Sequence, residues 1–323
     1  METVELRPLS LGELLDRTFS LYRRNFWVFA GIMALPSVLT IPVNAFMFGA
    51  QGSMMNAASP GRPPFTPTPA MMGGIFVGYL LFAVIFGSIY AIAMGAATCA
   101  VSDVYLGRAA TVRGSYGRIR GRFWKLIGVF FNVLLRVMGI MILFMGVAGS
   151  LIFVIALASG ARGNPAMVVV MAIFVFLIYI AALVLCVWFA LRYSVVIPVL
   201  MLENTRVLET LRRSVTLTRG RRGGIFLAML IAGVVAYVGV LVFQGPFLVF
   251  MMMSAIRGHF PAWLAPASAV SAAIGSSITG PISLIVIVLL YYDARIRKEA
   301  FDLQFLMSSL DSPAPTAGGV PAA

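Results

Sequence analysis

The chain has 323 residues, of which 61% are hydrophobic and 11% are charged, and its formal net charge is +13. A soluble domain usually carries about 25% charged residues, so this composition excludes an ordinary water-soluble fold and favours a protein that lies in lipid. Nearly all the basic residues lie at the ends of apolar segments. This distribution argues against nucleic acid as a partner and favours the anionic headgroups of membrane lipids.

Six apolar segments are each long enough to cross a bilayer, which takes about 20 residues. We expect helical spans near 26–48, 73–100, 126–157, 166–191, 224–255 and 266–292. These segments are spread along the whole chain, so the sequence predicts one polytopic membrane domain over residues 1–310. The low-complexity tail at 311–323 is expected to be disordered. The predicted fold class is therefore an all-α integral membrane protein.

Basic residues mark one side of the membrane. They precede the first span and recur in segments 101–125, 192–223 and 293–299. The connections on the opposite side contain few basic residues: Arg62, Arg162 and Arg257. Basic connections are retained in the cytoplasm, so we expect both the N-terminus and the C-terminus to be cytoplasmic, in the inner membrane of a bacterium.

Three basic segments align without gaps and precede spans one, three and five. They are LLDRTFSLYRRNF at 14–26, TVRGSYGRIRGRF at 111–123 and TLRRSVTLTRGRR at 210–222. A hydroxyl residue recurs at the fifth place of each segment and an arginine at the tenth. The hydroxyl residues are Thr18, Ser115 and Ser214, and the arginines are Arg23, Arg120 and Arg219. The spacing predicts three repeat units, near 10–104, 105–203 and 204–306.

Each repeat unit is expected to be a basic amphipathic helix followed by a pair of spans. In the first unit, Leu11, Leu14 and Thr18 fall on one face at helical spacing. Ser10 is a candidate N-cap, and Glu13 is placed to complete a capping box. We expect the three amphipathic helices to lie on the cytoplasmic face, with arginines toward lipid phosphates. A purely bracing role for these helices remains open.

Several stretches of this chain resemble the membrane-domain family of glycerophosphoryl diester phosphodiesterase. They are LRPLSLGELLDRTFSLYRRNF at 6–26, RYSVVIPVLMLEN at 192–204, LRRSVTLTRG at 211–220 and YYDARIRKEAFDL at 291–303. Some members of that family are fused to a catalytic domain, which uses paired histidines and metal-binding carboxylates. Here His259 is the only histidine. The resemblance therefore implies a location and an architecture, and it does not imply phosphodiesterase activity.

Arg136 is the most informative candidate residue, because a charge within a span is costly and is often functional. It lies about 15 Å along the axis of the third predicted span at 1.5 Å per residue. Asn132 lies one turn earlier on the same face. Arg136 has two open interpretations: a structural role and a contact with a lipid phosphate. The candidate phosphate contacts are Arg136, Asn132, Arg23, Arg120 and Arg219.

The sequence shows no acid–base pair, metal cluster or activated nucleophile within a span, so no catalytic, cofactor-binding or metal residue is predicted. We therefore expect a non-enzymatic membrane protein without a cofactor that organises or handles anionic lipids. Two other classes remain open, a transporter or permease component and an assembly partner of another membrane protein. Gly139, Gly146 and Gly149 in the third span are expected to allow close packing of helices, within the chain or in a homo-oligomer.

Overall fold

The computed structural model describes residues 8–57, 68–159, 165–257 and 261–299. Within these ranges every regular element is an α-helix. The helices are α1 (Leu11–Arg24), α2 (Phe26–Ala57), α3 (Pro69–Tyr105), α4 (Val112–Gly117), α5 (Phe123–Ser159), α6 (Pro165–Arg192), α7 (Val196–Glu203), α8 (Val207–Thr218), α9 (Arg222–Arg257) and α10 (Leu264–Glu299).

The six long helices α2, α3, α5, α6, α9 and α10 are apolar enough to cross a membrane. They coincide with the six predicted spans, so the prediction of a multi-pass helical membrane protein is confirmed. The sequence did not predict α7, which lies within the third basic segment, at 192–223. The chain turns at residues 193–195 before α7 begins. Pro198 lies in the first turn of α7, where its missing N–H group costs no helical hydrogen bond.

The buried core lies at the end of the bundle that carries the basic residues. Phe29 of α2, Val101 of α3, Leu126 of α5 and Tyr291 of α10 are all buried there. Short helices α1, α4, α7 and α8 pack into the same end. α10 has the largest buried share of the six spans, and it packs mainly against α2 and α9. The far halves of α5 and α6 expose large apolar side chains, as expected for surfaces that face lipid.

Different glycines from the expected ones allow close helix packing within the described chain. A Cβ atom added at Gly139, Gly146 or Gly149 would meet nothing within 4 Å, so these three glycines pack against no other helix of the described chain. The close approaches lie elsewhere. A Cβ at Gly95 of α3 would lie 2.6 Å from Cδ1 of Leu126 in α5. The spacing of small residues along a helix does not show which face of that helix will pack against another helix.

Prolines lie inside three spans, and hydroxyls of neighbouring helices donate to main-chain carbonyls close to them. Pro36 lacks the N–H group that would bond the Ile32 carbonyl, and the hydroxyl of Tyr116 in α4 donates to that oxygen at 2.8 Å. Near Pro281, the Tyr22 hydroxyl of α1 donates to the Ile278 carbonyl. Near Pro246, the Ser271 hydroxyl donates to the Phe243 carbonyl at 2.7 Å. These bonds connect α4 to α2, α1 to α10 and α10 to α9.

The predicted capping box of α1 is confirmed. The Ser10 hydroxyl accepts from the Glu13 amide at 3.3 Å, and a Glu13 carboxylate oxygen accepts from the Ser10 amide at 2.8 Å. The aligned hydroxyl residues Thr18, Ser115 and Ser214 are each 0% exposed. His259 and the tail at 311–323 lie outside the described residues.

Candidate functional site

Arg136 contacts the residue that follows α6. Its Nη1 donates to the hydroxyl of Tyr193, and its guanidinium carbon lies 5.4 Å from the centroid of the Tyr193 ring. Arg136 is about 20 Å along α5 from Phe123 at 1.5 Å per residue, yet it lies level with the end of α6 at Arg192. The guanidinium of Arg136 therefore lies far along α5 but beside the end of α6.

Arg192 brings a second guanidinium to this place. Its guanidinium carbon lies 5.1 Å from the Trp188 ring and 6.0 Å from the Tyr193 ring. Arg222, the first residue of α9, lies 5.2 Å from the Trp188 ring. These distances are within the range of cation–π attraction, to which Trp contributes most. The aromatic rings thus hold three like charges in one region of the molecule.

No carboxylate forms an ion pair with Arg136, Arg192 or Arg222 among the residues that the structure describes. The Nε atoms of Arg192 and Arg222 are also buried without a hydrogen-bond partner. Arginine groups removed from water normally gain a carboxylate or phosphate partner, because an unpaired buried charge is expensive. This region therefore carries positive charge that nothing in the described chain neutralises.

Arg136 and Arg192 line an open groove of about 460 Å³ between α5 and the end of α6, and Arg222 lies outside it. Apolar side chains form most of its wall. The lining residues are Leu135, Arg136, Gly139, Ile140, Leu143, Phe189, Arg192 and Tyr193. One part of the groove therefore presents guanidinium groups and a phenol, and the other presents aliphatic and aromatic surface.

The other candidate phosphate contacts do not join this groove. Asn132 lies one turn before Arg136, and its Oδ1 is buried without a hydrogen-bond partner, but it does not line the groove. Arg23 lies in the last turn of α1, Arg120 follows α4, and Arg219 is the C-cap of α8. All three arginines are exposed. Of the four candidate arginines, Arg136 alone lines the groove. The other three lie at or just after the ends of the short helices α1, α4 and α8.

Carboxylates at the basic end of the bundle form ion pairs that connect its helices. Glu203 accepts from Arg213 Nε at 2.9 Å and from the Tyr291 hydroxyl at 3.0 Å, which connects α7, α8 and α10. Asp293 is 4% exposed. It accepts from the Leu9 amide at 2.9 Å and pairs with Arg221 and Arg297. Asp103 pairs with Arg118.

Each of these carboxylates pairs with an arginine of a short helix or of the connection that follows one. The ion pairs therefore connect separate parts of the fold. Within the described ranges, no group of three or more His, Cys, Asp or Glu side chains is arranged to hold a metal ion. Cys99 is buried and Cys186 is partly buried, and both are free thiols.

Helices α6 to α10 coincide with a known family model, which covers residues 167–305. The model describes the membrane domain of glycerophosphoryl diester phosphodiesterase. The resemblance drawn from the motifs at 192–204, 211–220 and 291–303 is thereby confirmed. The model describes a membrane domain and not a catalytic one. No curated protein and no solved structure matches the chain.

The match to the glycerophosphoryl diester phosphodiesterase membrane domain includes four residues around Arg136 that sequence reasoning missed as site residues. They are Trp188, Arg192, Tyr193 and Arg222. A signal for them was present, because aromatic and basic residues at the end of a span are typical of the membrane interface. The sequence could not show that they meet Arg136, which lies on another span and outside the match.

Proposed function

We propose that this protein is a non-enzymatic, multi-pass protein of the bacterial inner membrane that binds and organises anionic lipids on its cytoplasmic side. The observation that carries the proposal is the pair of guanidinium groups, Arg136 and Arg192, that line one groove without a carboxylate partner. A lipid phosphate would supply the missing negative charge.

The chemistry of the groove suits a phosphate. A guanidinium group presents several N–H donors in a planar fork, and phosphate oxygens accept them in pairs. Arg136 is half-buried and Arg192 is half-buried, so water screens their charge less than it would at a fully exposed surface. A phosphodiester in the groove would accept from both arginines, and the described chain offers no competing carboxylate.

The three predicted repeat units agree with this proposal. Thr18, Ser115 and Ser214 occupy the same place in the alignment and are all fully buried. Arg23, Arg120 and Arg219 occupy another shared place and are all exposed. This matched pattern supports three amphipathic basic helices, each followed by a pair of spans. With both termini cytoplasmic, the exposed arginines would face anionic headgroups of the inner leaflet.

Two features support a non-enzymatic role. The family match describes a membrane domain. An acid–base mechanism would need free carboxylates, but Asp103, Glu203 and Asp293 are ion-paired with arginines. A transporter component and an assembly partner are the competing functions, and neither of them requires a phosphate at Arg136.

Native mass spectrometry of the purified protein tests the proposal. The wild type is expected to retain a stoichiometric anionic phospholipid, and Arg136→Gln is expected to lose it. Arg212→Gln is the matched control, because Arg212 is an exposed arginine of α8 outside the groove. A wild type without retained lipid, or Arg136→Gln with unchanged retention, would overturn the proposal and favour the competing functions.

A further inference from the structure

The groove at Arg136 continues beyond the arginines along α5. Gly139 lines it one turn after Arg136, and Leu143 lines it one turn further. A Cβ atom at Gly139 would meet nothing within 4 Å, so this part of the groove is open space at the helix surface. Ile140 of α5 and Phe189 of α6 form apolar walls beside it.

We propose that the groove holds a single anionic phospholipid lengthwise, with its phosphate on Arg136, Arg192 and Tyr193 and one acyl chain lying over Gly139. This inference rests on the proposed function and adds to it the position of the lipid, whose acyl chain as well as its phosphate lies in the groove.

Three groups at the polar end of the groove can donate hydrogen bonds to one phosphate: the guanidinium groups of Arg136 and Arg192 and the hydroxyl of Tyr193. Arg136 donates to the Tyr193 hydroxyl oxygen, so the proton of that hydroxyl remains available to donate elsewhere. Arg192 is held against Trp188 and Tyr193 by ring contacts, which restricts its rotamers before a ligand arrives. Donors that are already ordered lose less entropy on binding.

The apolar part of the groove determines where the chain of the lipid lies. A lipid tail is already surrounded by apolar neighbours, so entry into the groove gains packing contacts and little hydrophobic free energy. The phosphate contacts then supply most of the binding affinity. The open surface at Gly139 provides the space in which the acyl chain lies. A side chain that occupies this surface would therefore block the lipid without changing any charge.

Gly139→Leu tests the inference by filling the groove, and Gly146→Leu is its matched control. Gly146 lies two turns further along α5, is equally exposed, and has nothing within 4 Å of its Cβ position. It does not line the groove. We expect Gly139→Leu to reduce the retained lipid in native mass spectra about tenfold, the effect of a modest steric cost. Gly146→Leu should retain lipid as the wild type does.

Leu143→Trp provides a second variant that narrows the same groove, in case Gly139→Leu does not fold. A competition experiment separates lipid from soluble phosphate as the ligand. A large excess of glycerol 3-phosphate should leave the retained lipid in place, because it lacks an acyl chain. Displacement of the lipid by glycerol 3-phosphate would overturn the lengthwise site.

The outcomes distinguish this inference from the proposed function. Loss of lipid in Arg136→Gln together with full retention in both groove-filling variants would overturn the inference and leave the proposed function standing. A wild type that retains no anionic lipid would overturn both. Loss in Gly139→Leu and Leu143→Trp, with retention in Gly146→Leu, supports the inference.

Discussion

At the scale of single residues, the hydroxyl of Tyr116 completes the hydrogen bonding that Pro36 interrupts. Tyr116 donates to the Ile32 carbonyl at 2.8 Å, four residues before Pro36. Burial raises the pKa of Tyr116 to about 12, so the hydroxyl remains protonated and donates throughout the physiological pH range. Burial also raises the pKa of Tyr22, whose hydroxyl donates to the Ile278 carbonyl near Pro281.

Tyr116→Phe is expected to leave the Ile32 carbonyl without a partner. The loss of a buried hydrogen bond with one group left unsatisfied costs about 1–3 kcal/mol, so the free energy of unfolding should fall by that amount. Thermal or denaturant unfolding of the purified protein in detergent measures the change. Tyr179→Phe is the matched control, because Tyr179 is 64% exposed on α6. An equal loss of stability in both variants would contradict the role given to Tyr116.

At the scale of helices, the sequence predicted the six spans and the capping box of α1, but not α7 or which helix faces meet. Apolar length predicted all six spans, and the Ser10 and Glu13 spacing predicted the start of α1. The glycines that pack within the chain were not predictable, because Gly139 and Gly95 are equally small and only the tertiary fold determines which one meets a neighbour. The donor to the Ile32 carbonyl was equally unpredictable, since Tyr116 lies 84 residues away in the chain.

Gly95→Leu should weaken the packing of α3 against α5. The new Cβ atom would lie 2.6 Å from Leu126 Cδ1 and 3.5 Å from the Met201 sulfur. Overpacking of this kind typically costs about 1–3 kcal/mol. Gly78→Leu is the matched control on the same helix, because its Cβ would meet nothing within 4 Å. Unfolding curves of the two variants compare the sites. Equal stability of Gly95→Leu and the wild type would show that α3 and α5 can separate at no cost.

At the scale of the whole molecule, ion pairs and buried side chains are concentrated at one end of the bundle. Glu203 and Asp293 connect the short helices to α10 there, and the groove of Arg136 opens at the same end. The positions of the arginines in the sequence predicted which end is basic. Their partners were not predictable, because Arg192 and Tyr193 reach Arg136 only once α5 and α6 pack as a pair.

Cysteine labelling tests the orientation that the lipid proposal requires. Single cysteines are introduced as Arg120→Cys, Arg219→Cys and Arg257→Cys in a chain with Cys99→Ala and Cys186→Ala. All three arginines are exposed. Positively charged connections are retained in the cytoplasm, so a membrane-impermeant maleimide applied to bacterial spheroplasts should label Arg257→Cys alone. The other two should react only after lysis.

Labelling of Arg120→Cys and Arg219→Cys without Arg257→Cys would contradict cytoplasmic termini. It would place the groove of Arg136 in the outer leaflet. Labelling of Arg120→Cys without Arg219→Cys would contradict the predicted spans, because two crossings separate these positions and should return the chain to one side. The chain without introduced cysteines controls for background labelling. The expected pattern would place Arg120 and Arg219 in the compartment of the anionic inner leaflet, where exposed arginines gain most from lipid phosphates.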